Sequence, residues 1–117
     1  MLRFPSIKKN ADFQRVYRKG RPCANALIVL YVLKGRGDAG DSNRLGVSCS
    51  KKVGNSVLRH TITRRLREIF RGNKQRLAKG LDIVVVVRKG AGDYSYKSLE
   101  RAYLDLCRKQ GIIKNWN

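Results

Sequence analysis

At 117 residues, with 27 lysines and arginines against 8 acidic residues and a formal charge of +19, the chain is single-domain in size and far more basic than solubility requires, so a polyanion is the expected partner. Its 42% hydrophobic content excludes a disordered basic tail, its longest apolar run (Leu81 to Val87, broken by Asp82) falls short of the ~20 residues of a membrane helix, and MLRFPSIKKN lacks a signal core; a cytoplasmic protein without a membrane partner is the expectation. Three cysteines, Cys23, Cys49 and Cys107, are odd in number and lack C-x-x-C spacing, which argues against a zinc site or disulfide framework and for reduced, mostly buried thiols.

The first predicted element is a helix over Asn10 to Lys19, with Phe13, Val16 and Tyr17 at i, i+3 and i+4, Asn10 as its cap and Gly20 as its stop. Ala26 to Leu33, ALIVLYVL, is rich in strand formers and ends at the acidic turn GRGDAGDSN. After it, Arg44 to Ser50 alternates Leu45, Val47 and Cys49 against Gly46, Ser48 and Ser50. These two strands read as an antiparallel hairpin with a mobile loop. A basic turn and helix over Lys51 to Arg71 follow, then a short GNKQ connection, a strand over Leu81 to Arg88, a KGAGD turn and a last helix from about Tyr94 to Gln110. The stripe of the last helix is Leu99, Ala102, Tyr103 and Leu106, and Gly111 can end it. Read from the residues alone, the order is helix, strand, strand, helix, strand, helix, an α+β sandwich in one RNA-binding domain spanning residues 1–117.

Between Lys51 and Arg71 seven residues are basic (Lys51, Lys52, Arg59, Arg64, Arg65, Arg67 and Arg71) and only Glu68 is acidic, which predicts positive charge left over for a partner. At about 100° per residue, Leu58, Ile62, Leu66, Ile69 and Phe70 form one apolar stripe, while His60, Arg64, Arg67 and Arg71 gather on a separate arc flanked by Arg59 and Arg65. Guanidinium groups grip phosphate in two-pronged fashion, so the arc suits an RNA backbone. Upstream, Gly54 is expected to permit a tight turn, and Asn55 or Ser56 to cap the helix, leaving amides near a phosphate. A solvated basic face on an ordinary helix is the plainer alternative.

On the predicted sheet, Ser48 and Ser50 share a small polar face. With Tyr31 from the preceding strand and Phe13 and Tyr17 from the first helix they could wall a shallow cleft for unpaired bases, although such a stripe is more often core.

Catalytic groups are hard to find. The acids Asp12, Asp38, Asp41, Glu68, Asp82, Asp93, Glu100 and Asp105 are scattered, and the single histidine, His60, has no second acid–base group beside it. Surface exposure or RNA contact suits His60 better than catalysis or a metal.

The pattern K-x-G-N-[AS]-V-x-R-x-x-I-x-R-R-x-R-E, from Lys52 to Glu68, together with DFQRVYRKG near the start and LGVSCSKK before the motif, resembles the protein subunit of bacterial ribonuclease P over most of the chain. The resemblance implies an α+β fold with a small mixed sheet of about four strands and three helices, order α-β-β-β-α-β-α, similar to domain 2 of ribosomal protein S5. Its strand–helix–strand crossover would be left-handed, where topology statistics favour a right-handed one. The implied activity is that of an endoribonuclease working as a ribonucleoprotein: a catalytic RNA, using Mg2+ bound mainly by that RNA, removes the 5′ leader of precursor tRNA, and the protein is its cofactor. No catalytic and no metal residue is implied in this chain, and no obligate protein partner. By carry-over, Lys52, Asn55, Arg59, Arg64, Arg65 and Arg67 contact the catalytic RNA, with Lys51, His60 and Arg71 completing that surface; Phe13, Tyr17, Tyr31, Ser48 and Ser50 hold the single-stranded leader. His60 stands where the family usually has Asn and Thr63 where it usually has Lys; histidine can hydrogen-bond RNA but lacks the amide oxygen that suits a hard cation. A ribosomal or RNA-chaperone protein with no role in a reaction, and a protein-only nuclease using His60, are the competing readings.

Overall fold

The computed structural model describes residues 6–35, 42–90 and 92–113. In chain order the elements are α1 (Asn10–Lys19), β1 (Arg21–Ala24), β2 (Ile28–Lys34), β3 (Arg44–Ser48), α2 (Ser56–Asn73) with a 3-10 turn (Lys74–Arg76), β4 (Leu81–Val87) and α3 (Tyr96–Lys109). The four strands form one mixed sheet in the order β1-β2-β4-β3.

The expected hairpin between Ala26–Leu33 and Arg44–Ser50 does not form. β4 lies between them, antiparallel to β2 and parallel to β3. The reason is burial: β4 is buried along its length except at Val86, half-buried, so it takes the interior position where both edges are paired. A parallel β3–β4 pair needs a long crossover, and α2 is that crossover. β2 instead makes its tight hairpin with β1, a four-residue strand that the residue patterns did not place but that the order α-β-β-β-α-β-α implied by the resemblance includes. Asn25 closes that turn, its Oδ1 accepting from the amides of Leu27 and Ile28. Pro22 is tolerated because β1 is an edge strand. Of the acidic segment read as a mobile loop, Gly35 to Asn43, residues 36–41 lie outside the described residues.

One sheet face is covered by α2 and α3. Ile62, Leu66, Ile69 and Phe70 of α2 and Leu99, Tyr103, Leu106 and Cys107 of α3 pack there on Ile28, Leu30, Val32, Leu45, Ile83, Val85 and Val87. Burial of each large apolar side chain contributes about 1.5–3 kcal/mol, so this face holds most of the fold's stability. The helix ends follow local chemistry. Asn55 caps α2 by accepting from Leu58 N, and Ser95 caps α3 by accepting from Ser98 N. At the end of α3, Gly111 takes a positive φ of 70° while Gly111 N and Ile112 N reach the carbonyls of Arg108 and Cys107. Asn10 does not cap α1: it is the first helical residue, Lys9 stands at the cap, and no side chain caps there.

The opposite face is only half covered, by α1. A second, smaller core of Ile7, Val16 and Val84 is flanked by Phe13, Tyr17, Tyr31, Leu33 and Val86.

Candidate nucleic-acid interface

Two surfaces carry the residues singled out above. The first is the outer side of α2 and the turn before it. Lys51, Lys52, Asn55, His60, Arg64, Arg67 and Arg71 are exposed there, with Arg59 and Arg65 half-buried. Not all of this charge is at large, contrary to the sequence expectation. Arg64 Nη1 pairs with Glu68 one turn on at 2.8 Å, Arg65 Nη1 donates to the Tyr94 carbonyl at 2.8 Å, and Arg59 Nε donates to the Gly54 carbonyl at 3.2 Å. Arg65 thus ties α2 to the segment entering α3, and Arg59 is pre-oriented by the turn. Gly54 does not take the left-handed conformation; its missing side chain makes room for Leu58, whose Cδ2 would lie 2.6 Å from an added Cβ.

Between α2 and β3 runs a polar groove of about 340 Å³ lined by Val47, Cys49, Ser56, Arg59, His60, Thr63 and Arg67. It brings two guanidinium groups and an imidazole together around hydroxyl groups, and no carboxylate lines it. Like charges gathered around a concavity repel one another until an anion enters, so the groove suits a phosphate. Burial pushes the Cys49 thiol up, with nearby Arg59 opposing, so it stays a neutral wall.

The second surface is the α1 face of the sheet. Tyr17 meets Tyr31 edge-on with ring centroids 5.1 Å apart, and Phe13 lies 6.2 Å from Tyr17. All three rings are half-buried, so they are wall and core at once. Phe13 sits directly on β3 because Gly46 has no side chain: an added Cβ would stand 2.7 Å from Phe13 Cζ. Beyond the rings, half-buried Val29, Val86 and Ser48 form the next row across the sheet. A shallow floor of small side chains therefore adjoins an aromatic wall. Ser50 does not share that row as expected: β3 ends at Ser48, and Ser50 stands exposed in the following turn with its carbonyl accepting from Val53 N.

The sequence reading missed four charged residues that fasten α1 to this face. Asp82 is completely buried in β4; Arg44 of β3 grips its two oxygens at 2.9 and 2.7 Å, and Arg15 of α1 reaches it at 3.1 Å. Arg44 also reaches Asp12 of α1 at 3.4 Å. Asp82 is the main reason the Arg44 guanidinium is held protonated above its ordinary value. The carboxylate interrupting the Leu81–Val87 run was the available signal, since a buried acid needs cationic partners.

Among the described residues no group of three or more His, Cys, Asp or Glu could hold a metal ion, and no helix is long and apolar enough to cross a membrane. Cys107 is buried, while Cys23 and Cys49 are half-buried, so burial of the thiols is partial.

A family model described as Ribonuclease P matches residues 1–111. The ribonuclease P protein component of Clostridium botulinum (strain Langeland) is 44% identical over 107 residues, covering 91% of this chain and 94% of the relative. That of Alkaliphilus oremlandii is 39% identical over 109 residues, covering 93% of each. Among solved structures, the RNase P protein of Staphylococcus aureus superposes with a TM-score of 0.81 at 39% identity, covering 97% of this chain and all of that one. The Thermotoga maritima protein gives 0.78 at 29% identity, with 89% and 96% covered.

Proposed function

Because this chain belongs to the bacterial ribonuclease P protein family, we propose that it works as the protein cofactor of a ribonucleoprotein endonuclease, docking on a catalytic RNA through α2 and holding the single-stranded 5′ leader of precursor tRNA in the cleft beside α1. The observation that carries this reading is the separation of two RNA-suited surfaces: a cationic groove on the α2 side of β3 and an aromatic wall with an open floor on the α1 side. Guanidinium groups and helix-terminal amides suit a structured RNA backbone, which a protein meets through its phosphates. Aromatic faces suit unstacked bases, which only a single strand offers.

Mechanistically, the cations of α2 and its turn replace part of the magnesium needed to bring two polyanions together. Leader contacts orient the substrate so that the scissile phosphate meets groups belonging to the RNA. Mg2+, bound mainly by that RNA, supplies the metal chemistry of phosphodiester hydrolysis. On this reading His60 is a phosphate or base contact. Mature tRNA lacks the leader, so discrimination for the precursor follows from the cleft.

Reconstitution with catalytic RNA at limiting magnesium tests the proposal. Cleavage of precursor tRNA should rise steeply on adding the protein, and the protein alone should cleave nothing. Cleavage unaffected by the protein would point to a ribosomal or chaperone role, and His60-dependent cleavage by protein alone to a protein nuclease.

A further inference from the structure

Three rows cross the α1 face of the sheet, each set by strand register. Leu33, Asp82 and Arg44 form the first, Tyr31, Val84 and Gly46 the second, and Val29, Val86 and Ser48 the third. The face thus changes from charged, to aromatic with a gap for Phe13, to small and open. α1 is fastened at the charged row, and the cleft opens at the far one, four residues or about 13 Å along β4.

The fastening differs in kind from the packing beside it. Val16, Ile7 and Val84 are buried against one another, but apolar contact is non-directional and lets a helix slide or tilt. Charge-assisted hydrogen bonds are directional. Arg44 binds both oxygens of Asp82, its register partner, and turns its remaining Nη1 to Asp12, while Arg15 donates to the same Asp82 carboxylate. Asp82 has no exposed surface, so it cannot release these cations without leaving a charge stranded away from water. Asp12 and Arg15 straddle Phe13 in sequence, so the two side chains that tie α1 to the sheet bracket the ring that walls the cleft. Arg15 Nε is itself buried and without a partner among the described residues, while the side chain as a whole stays 37% exposed.

We propose that the Asp12, Arg15, Arg44 and Asp82 cluster is the positioning device of the leader cleft, fixing α1 over β3 and so the width of the floor on which single-stranded RNA lies. None of the four touches the RNA. This inference rests on the cleft reading given above.

The test uses the reconstituted ribonucleoprotein and the double variant Asp12→Asn/Arg15→Gln, which keeps the net charge and leaves Arg44 on Asp82 so that no buried charge is stranded. Affinity for precursor tRNA should fall by about fivefold or more, the equivalent of losing one stacked base. Affinity for the catalytic RNA and for mature tRNA should stay within about twofold, a change too small to represent one lost hydrogen bond. The cleavage rate at saturating substrate should not change. Arg15→Lys, which keeps a cationic donor for Asp82, should retain most of the precursor preference. A double variant with undiminished precursor preference, or one that loses catalytic-RNA affinity in parallel, overturns the proposal. A wild-type particle that binds precursor and mature tRNA alike overturns the cleft reading itself, whatever the cluster does.

Discussion

Gly46→Ala places a methyl group where the Phe13 ring lies. The added Cβ would stand 2.7 and 2.8 Å from Phe13 Cζ and Cε1, and 3.2 Å from Ile7 Cβ. The first two distances are roughly 1 Å inside the 3.5–4.0 Å at which carbon atoms attract. With α1 tied to Asp82 and Arg44, the ring must leave its rotamer or the helix must lift, an overpacking cost of about 1–3 kcal/mol. Against it stands the intrinsic advantage of alanine over glycine in a strand, ~0.5–1 kcal/mol. Gly46 has no positive φ, so backbone strain adds nothing. The net loss therefore centres on about 1 kcal/mol within a span of roughly 0–2.5, and the midpoint corresponds to a Tm lower by about 4 °C in a chain of this size. In a Phe13→Ala background the same substitution should change sign and gain up to ~1 kcal/mol. Urea and thermal unfolding of the four proteins of the cycle measure this. An equal effect of the substitution in both backgrounds would refute the seating of Phe13 on Gly46.

Asp82→Asn leaves two guanidinium groups around a neutral amide and should cost about 3–5 kcal/mol in urea unfolding, whereas Asp12→Asn, at the half-exposed end of the cluster, should cost under ~1 kcal/mol; similar losses would show that the buried carboxylate is not the hub. Arg67→Ala should weaken binding to the catalytic RNA and lower the slope of log K against log salt by about 0.7–0.9, and an unchanged slope would place Arg67 away from phosphate. Glu68→Gln releases Arg64 from its ion pair and should tighten the same binding by about twofold; weaker binding would mean the pair itself is recognised. Burial pushes the Cys107 thiol up to about 12 from an ordinary 9.0, so its contribution is complete below pH 9 and is lost as pH rises through about 12. Urea titrations from pH 8 to 11 should show stability falling, with Cys107→Ala flattening the fall without abolishing it, because buried Tyr103 is pushed up as well; an identical slope in the variant contradicts this.

What the sequence made legible was local and periodic. The apolar stripe of α2, its Asn55 cap, the end of α3 at Gly111 and the strand character of β4 follow from spacing over a few residues, and the structure has each. Pairing was not legible in the same way. Chain order suggested that β2 and β3 meet, yet two signals spoke for β4 between them: a run buried on both faces, and an 18-residue helix bridging β3 and β4. β1 is too short for alternation to show, and its Pro22 reads as a strand breaker until the strand is known to lie at an edge. Helix periodicity put Phe13 and Tyr17 on one side of α1, where the structure packs them with Tyr31; spacing alone favoured core over cleft, and the leader role came from the resemblance. Asp82 within an apolar run signalled a buried acid, but its partners were out of reach, since Arg15 lies 67 positions away and Arg44 38. Charge counting likewise overstated the free cations on α2, because the acceptors for Arg59 and Arg65 are backbone carbonyls that composition does not register.

Binding of precursor against mature tRNA to catalytic RNA, with and without this protein, probes the central claim most directly. Adding the protein should raise affinity for the leader-bearing precursor and leave mature tRNA nearly unchanged, with the gain shrinking as the leader is shortened. Equal gains for both tRNAs would contradict a leader cleft beside α1 and reduce the protein's role to charge neutralisation through α2.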